Sequence, residues 1–167
     1  LHFPLSSNKR KVESGDLTPL LDWPKVHLNF PAYLPQDFLP SEMERVSYYR
    51  RLSTCQKESE LNNVFEELKD RSGSLPQEVE NLKILFSLRL ASRTLGLSTV
   101  EELGDGRIRF EFTDAGKPKG NLVSWLLKEH RDKVRFEPTK QAFHLENLGS
   151  NTPQEVSQIL RDLLRTV

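Results

Sequence analysis

The hydrophobic pattern of the sequence changes its period near the middle of the chain. Residues 58–71 carry apolar side chains three or four positions apart, at Leu61, Val64, Phe65 and Leu68. This spacing places them on one face of a helix. Residues 107–112 instead alternate apolar and polar side chains, which is the period of a half-buried strand. A chain with both periods can be neither an all-helical nor an all-β protein.

Proline and capping signals fix where the first helices begin. The three prolines of PAYLPQDFLPSEME, residues 31–44, forbid a helix before Ser41. Ser41 and Glu44 then form a capping box. The helix that starts there is predicted to end near Ser53 and to point four side chains inward, at Met43, Val46, Tyr49 and Leu52.

The remaining elements follow from the same kinds of signal. In chain order we predict a strand at 25–30, helices at 41–53, 58–71 and 74–95, strands at 99–103 and 107–112, a helix from 118, strands at 133–137 and 142–148, and a helix from 152. The predicted fold class is α+β, with helices packed on a small, mainly antiparallel sheet. One domain is expected over residues 25–167, divided near residue 97, and residues 1–24 are predicted to be a linker or an extended leader.

Composition excludes several classes of protein. The chain has 24 Lys and Arg against 24 Asp and Glu, so it lacks the basic excess of a dedicated nucleic-acid module. Its apolar runs are shorter than the roughly 20 residues of a membrane span, and no secretory signal is visible. A lone cysteine, Cys55, excludes an internal disulfide and fits a reducing compartment. We therefore expect a cytoplasmic domain without a membrane partner.

The sequence offers little catalytic apparatus. The four histidines lie in unrelated segments, and His144 is predicted to point to the solvent face of its strand. The stretch DAGKPKGN, residues 114–121, lacks the first glycine and the Ser or Thr of a phosphate-binding loop. Cys55 has no neighbouring histidine to activate it. We predict no catalytic, cofactor-binding or metal site in this chain.

Three charged residues stand out at the end of the second helix. Glu67, Asp70 and Arg71 are spaced three and four residues apart, so they lie on one side of the helix, away from its apolar stripe. Asp70 faces the negative end of the helix dipole, where cations are preferred. Two interpretations remain open at this point: a Glu67–Arg71 surface pair beside a solvated Asp70, or an interface with a partner.

Two long segments together resemble a known family. They read VHLNFPAYLPQDFLPSEMERVSYYRRL and ESELNNVFEELKDRSGSLPQEVENLKILFSLRLASRTLGL, residues 26–52 and 58–97. The combination of P-x-x-LP-x-DF-x-P with EL-x-DR-x-G-x-LP resembles the C-terminal domain of the bacterial transcription-repair coupling factor (Mfd/TRCF) family. The remainder is similar in element order more than in residues. Ser72 stands where the family has an aromatic residue, and Lys57 where a Ser or Thr cap is common.

The resemblance implies a regulatory role within a larger protein. Such a parent is an ATP-dependent DNA translocase of helicase superfamily 2, with ATP and magnesium bound in a motor upstream of this domain. It displaces stalled RNA polymerase and recruits excinuclease A for nucleotide-excision repair. The resemblance implies that this domain packs on the N-terminal repair-recruiting module of the same chain and restrains the parent. Glu67, Asp70 and Arg71 would then form the interdomain interface.

Two other functions compete with that interpretation. Basic and aromatic side chains at residues 9–11, 48–51 and 107–110 would suit an auxiliary nucleic-acid-contacting domain of the same parent. The neutral charge balance argues against it, because phosphate binding needs a local positive excess. An independent enzyme is the third alternative, and the sequence shows no set of nucleophile, base and orienting residue for it.

Overall fold

The computed structural model describes residues 23–113, 120–146 and 152–165. Within these residues, five α-helices are present: α1 (Glu42–Thr54), α2 (Glu58–Ser72), α3 (Gln77–Leu95), α4 (Gly120–Glu129) and α5 (Thr152–Arg165). The five strands are β1 (Lys25–His27), β2 (Leu97–Glu102), β3 (Ile108–Phe112), β4 (Val134–Glu137) and β5 (Ala142–Leu145). A short 3₁₀ turn, Pro138–Lys140, joins β4 to β5. The predicted leader at residues 1–22 and the loop motif at 114–119 lie outside the described residues.

All strands belong to one sheet in the order β1-β2-β3-β5-β4. β2 and β3 form the hairpin that the turn sequence Gly104-Asp105-Gly106 between them predicts. β3–β5 and β5–β4 are also antiparallel, whereas β1 runs parallel to β2. The alternation of residues 107–112 is confirmed, since Ile108, Phe110 and Phe112 are buried. The fold class is therefore α+β with a mainly antiparallel sheet, as predicted.

The described residues divide into two compact units. Those of Phe30–Leu90 form the first unit, and the others, including the sheet, form the second. The first unit has a core built largely from α1, α2 and α3, with Leu52, Phe65, Leu68 and Leu82 among its most buried members. The second unit buries strand residues such as Phe110 and Phe143 and helix residues such as Leu126, Val156 and Leu160. The predicted domain boundaries at residues 24 and 97 stay predictions.

Local signals set the ends of α1 and α2. Ser41 is the N-cap of α1, and its Oγ accepts a hydrogen bond from the Glu44 amide at 3.3 Å. α2 begins after Lys57, whose side chain makes no capping bond. It ends at Gly73, whose φ of 79° is left-handed and whose amide bonds to the Lys69 carbonyl at 2.7 Å. This is the glycine cap that the sequence predicts.

The predicted inward face of α1 is partly wrong. Met43 is 85% exposed and Val46 42% exposed, whereas Tyr48 and Leu52 are buried. Tyr48, Leu52 and Cys55 follow the spacing i, i+4, i+7, and this second stripe faces the core of the first unit. Met43 and Val46 lie outside that stripe. Tyr49 is half-buried, and its hydroxyl accepts a hydrogen bond from the Leu34 amide at 2.8 Å.

Two predictions in the second unit are also wrong. His144 is buried instead of facing solvent, because β5 lies between β3 and β4 and all four of its residues are buried. Its Nε2 contacts Glu137 on β4. The apolar spacing of Leu122, Val123, Leu126 and Leu127 predicts that all four point inward from α4. Leu126 is indeed buried, but Leu127 is 45% exposed.

A polar surface between α1 and α2

The candidate functional site lies where α1 and α2 meet in the first unit. Tyr48 and Leu52 of α1 belong to the same buried cluster as Phe65 and Leu68 of α2. This packing brings the polar flanks of the two helices side by side. We use the name α1–α2 surface for six residues: Glu44, Tyr48, Arg51, Glu67, Asp70 and Arg71.

Glu67 is held by two residues of α1. Arg51 donates from Nη1 to Oε1 at 2.9 Å and from Nη2 to Oε2 at 2.6 Å, which is a bidentate ion pair. The Tyr48 hydroxyl donates to Glu67 Oε1 at 2.7 Å. The Arg51 guanidinium also lies against the Tyr48 ring, 5.1 Å from its centre. The carboxylate of Glu67 therefore accepts three hydrogen bonds from the neighbouring helix.

Arg71 forms the second link between the helices. Its Nη1 donates to Glu44 Oε1 at 3.1 Å and makes a long contact of 3.5 Å with the Tyr48 hydroxyl oxygen. Tyr48 consequently touches both ion pairs through one atom. The simple Glu67–Arg71 surface pair considered from the sequence is replaced by two pairs that each cross to α1.

These contacts lower the pKa of the Glu67 carboxyl group. The hydrogen bonds from Arg51 and then Tyr48 lower the pKa of Glu67 from 4.5 to about 2. The same hydrogen bond with Glu67 raises the pKa of Arg51. Both partners are nonetheless close to half exposed, so solvent screens the pair and limits its contribution to stability. The Arg51–Glu67 pair is thus fully ionised near neutral pH and open to a second molecule.

Asp70 differs from its two predicted companions. It is exposed on α2, and its carboxylate makes no hydrogen bond or ion pair to any residue that the structure describes. Three residues after Glu67, it lies about 60° further round the helix. The sequence thus correctly predicted that all three side chains are exposed, and it missed Glu44, Tyr48 and Arg51. The aromatic at Tyr48, four residues before Leu52, is the signal that could have revealed the shared face.

Other candidate groups do not assemble into a site of their own. Cys55 is buried, and burial followed by the charge of Glu60 raises the pKa of its thiol. This is the opposite of what a reactive thiolate needs. The described residues contain no group of three or more His, Cys, Asp or Glu placed to hold a metal ion. None of the described helices is long and apolar enough to cross a bilayer.

The bases considered for nucleic-acid contact are largely neutralised by acids. Arg107 pairs with Asp105 at 2.7 Å, and Arg109 pairs with Glu111 at 2.7 Å. Arg51 is committed to Glu67. The residues 9–11 lie outside the described part of the chain. Three of the bases considered for nucleic-acid contact are therefore paired with acids and offer little of the net positive charge that phosphate binding requires.

The fold and this surface define a small α+β domain that presents a charged surface built from two helices. The TRCF domain family model matches residues 28–121, and the chain belongs to this family. The family resemblance predicted from the sequence is confirmed.

Several transcription-repair-coupling factors are similar to this chain. The protein of Escherichia coli K12 is 30% identical over 141 residues, which are 83% of this chain and 12% of that protein. The protein of Myxococcus xanthus is 28% identical over 143 residues, which are 84% of this chain and 12% of that protein. This chain therefore spans about 12% of the length of these relatives.

A solved structure shows the same fold. The crystal structure of the C-terminal domain of a transcription-repair coupling factor matches with a TM-score of 0.73 and 18% identity. The match covers 88% of this chain and 96% of that chain. The α+β architecture described above is therefore that of an already solved C-terminal domain.

Proposed function

We propose that this domain is a regulatory, autoinhibitory interaction domain of an ATP-dependent DNA translocase that acts in transcription-coupled nucleotide-excision repair. It holds the N-terminal repair-recruiting module of the same polypeptide through the α1–α2 surface, and we call this contact the clamp. In this state the parent hydrolyses ATP slowly and hides the surface that binds excinuclease A. Engagement of stalled RNA polymerase releases the contact. The ATP and magnesium of the reaction belong to the upstream motor, and the protein works in the cytoplasm.

The observation that carries this proposal is the arrangement of charge on the α1–α2 surface. Glu44, Arg51, Glu67 and Arg71 form two ion pairs that are near half exposed, so solvent screens both pairs and they contribute little to folding. Asp70 sits unfavourably at the helix C-terminus. A surface that does so little for stability is available for recognition instead.

The charge composition of the surface also suits a reversible contact. Charged pairs across an interface contribute more to specificity and association rate than to affinity. They are weakened by salt and by competing charged partners. An interface of this kind can close in the resting protein and open when another partner engages the parent. Family membership supports the same role, because relatives that carry this domain are much longer than the domain itself.

The test is a charge reversal in the full-length protein that carries this domain. Glu67→Lys combined with Asp70→Lys should raise the ATPase rate without DNA and increase binding to excinuclease A. The matched control is Asp37→Lys combined with Glu80→Lys, which makes the same change in net charge at exposed positions outside the α1–α2 surface. The control should leave both measurements unchanged.

Two results would argue against the proposal. Unchanged ATPase rate and unchanged excinuclease binding in the α1–α2 variant would remove this surface from the clamp. Salt-sensitive micromolar binding of DNA by this chain in a gel-shift titration, lost on removal of Arg107 and Arg109, would favour the nucleic-acid-contacting alternative.

A further inference from the structure

One tyrosine hydroxyl connects both ion pairs of the α1–α2 surface. The Tyr48 ring is packed in the core of the first unit, with only 5% of the residue exposed. Its hydroxyl donates to Glu67 at 2.7 Å and is 3.5 Å from Nη1 of Arg71. A buried aromatic ring has a single position, so the oxygen at its tip is a fixed point between two exposed, long side chains.

Such a fixed point matters for a surface that has to be recognised. Exposed glutamate and arginine side chains lose rotamer freedom when a partner binds them, and this loss weakens binding. Side chains that are already held in one arrangement lose less. The Tyr48 hydroxyl contacts both Glu67 and Arg71. Arg51 donates two further hydrogen bonds to Glu67. Asp70 next to them is the group left for direct contact.

We propose that Tyr48 is a positioning residue of the α1–α2 surface, which presets Glu67 and Arg71 for the partner module. The inference rests on the proposed function, since it assigns to Tyr48 the pre-ordering of the surface that forms the clamp. It adds a residue that the spacing of charges on α2 alone does not identify.

The competing explanation is that Tyr48 only holds α1 against α2. The neighbouring Tyr49 offers a matched comparison for this structural role. Its hydroxyl also makes a hydrogen bond, from the Leu34 amide at 2.8 Å, and lies within the same unit. That bond connects Tyr49 to a buried loop residue outside the α1–α2 surface. Tyr48→Phe and Tyr49→Phe therefore each delete one bonded hydroxyl and keep the ring.

The experiment places Tyr48→Phe, Tyr49→Phe, Glu67→Gln and the Tyr48→Phe/Glu67→Gln double variant in the full-length protein. The Glu67/Asp70 reversal is included as the reference for an open clamp. ATPase rate without DNA and binding of excinuclease A are measured for each. Urea unfolding of the same substitutions in the present chain reports their effect on stability.

We expect Tyr48→Phe to raise the DNA-independent ATPase rate at least about threefold, as ordering of exposed side chains before binding would predict. Tyr49→Phe should lower stability at least as much and leave the ATPase rate unchanged. The effect of the double variant should be smaller than the two single effects combined, because Tyr48 acts partly through Glu67 and coupled residues are not additive.

The remaining outcomes separate the two proposals. If the charge reversal opens the clamp and Tyr48→Phe behaves like the wild type, the positioning role is overturned and the proposed function stands. If both tyrosine variants open the clamp in proportion to their loss of stability, or the double variant is additive, Tyr48 is a structural residue only. If even the charge reversal has no effect, both proposals are overturned.

Discussion

Arg51 of α1 and Glu67 of α2 form a two-point ion pair, with nitrogen–oxygen distances of 2.9 and 2.6 Å. The planar guanidinium matches the two carboxylate oxygens, which a lysine ammonium could not do. The pair joins two helices that are consecutive in the chain, and it remains accessible to solvent. Its geometry leads to a testable dependence of stability on pH.

Glu67 should make the protein less stable in acid over a defined range. Its pKa is about 2 when folded and 4.5 ordinarily, so its contribution is fully present above pH 4.5 and disappears as the pH falls towards 2. Because 46% of the Glu67 side chain is exposed, we expect its contribution to the free energy of unfolding to be at most about 1 kcal/mol. Urea unfolding at pH 7, 4.5 and 2.5 measures it: the difference between wild type and Glu67→Gln should shrink across this range.

The control for this experiment is Glu66→Gln, which removes the exposed glutamate one position earlier on α2. At pH 7, the free energy of unfolding of Glu66→Gln should differ less from that of the wild type than the free energy of Glu67→Gln does. A Glu67→Gln difference that stays constant from pH 7 to pH 2.5 would contradict the low pKa of Glu67.

The N-terminus of α2 should accept a stabilising cap. Lys57 occupies the N-cap position with an extended backbone, φ −135° and ψ 150°, and makes no side-chain capping bond. A serine there can accept a hydrogen bond from an amide of the first turn, so Lys57→Ser should raise the free energy of unfolding by about 0.5–1 kcal/mol. Thermal or urea unfolding measures the gain. Lys57→Ala, which removes the same charge without a cap, should give no comparable increase.

Gly73 should be intolerant of a side chain for reasons of backbone conformation. Its φ is 79°, and a Cβ added there would meet no atom within 4 Å, so the cost is conformational strain and not a clash. Gly73→Ala should therefore lower the free energy of unfolding by about 1–2 kcal/mol. Gly104, which is equally open in space and does not have a left-handed φ, provides the control. Equal losses for Gly73→Ala and Gly104→Ala in urea unfolding would refute this explanation.

Phe143 should be the most costly of these positions to truncate. It is fully buried, stacks on Phe110 with a centroid distance of 4.6 Å, and also contacts Phe112 and Phe136. Phe143→Ala should lower the free energy of unfolding by about 3–5 kcal/mol, because the rings around it cannot close the cavity. Leu127→Ala, at an exposed position, should cost far less. A loss below about 1 kcal/mol for Phe143→Ala would mean that the aromatic cluster repacks.

The sequence correctly predicted the buried face of those helices and strands whose own hydrophobic period allows only one choice. On α2 a single apolar stripe competes with no other, and Leu61, Val64 and Phe65 are buried as expected. On β3 the strict alternation likewise settles which side faces the core. α1 carries two overlapping stripes, one with Met43 and one with Tyr48, and only the helices around it select between them.

The remaining differences arise from contacts between distant parts of the chain. The burial of His144 depends on β5 lying between β3 and β4, which no pattern within residues 142–145 specifies. The same reason explains the missed members of the α1–α2 surface. Helical spacing placed Glu67 and Arg71 together on α2, whereas the partners Glu44, Tyr48 and Arg51 depend on how a second helix is aligned beside it.

The parallel pairing of β1 with β2 has a consequence for how the chain folds. Val26 lies opposite Val100, and all of α1, α2 and α3 lie between them in sequence. Closing so long a loop costs entropy that a three-residue strand cannot recover by itself. Compaction of the intervening helices would shorten the effective loop, so we expect the outermost strand at this edge to become ordered after the helical segment has collapsed.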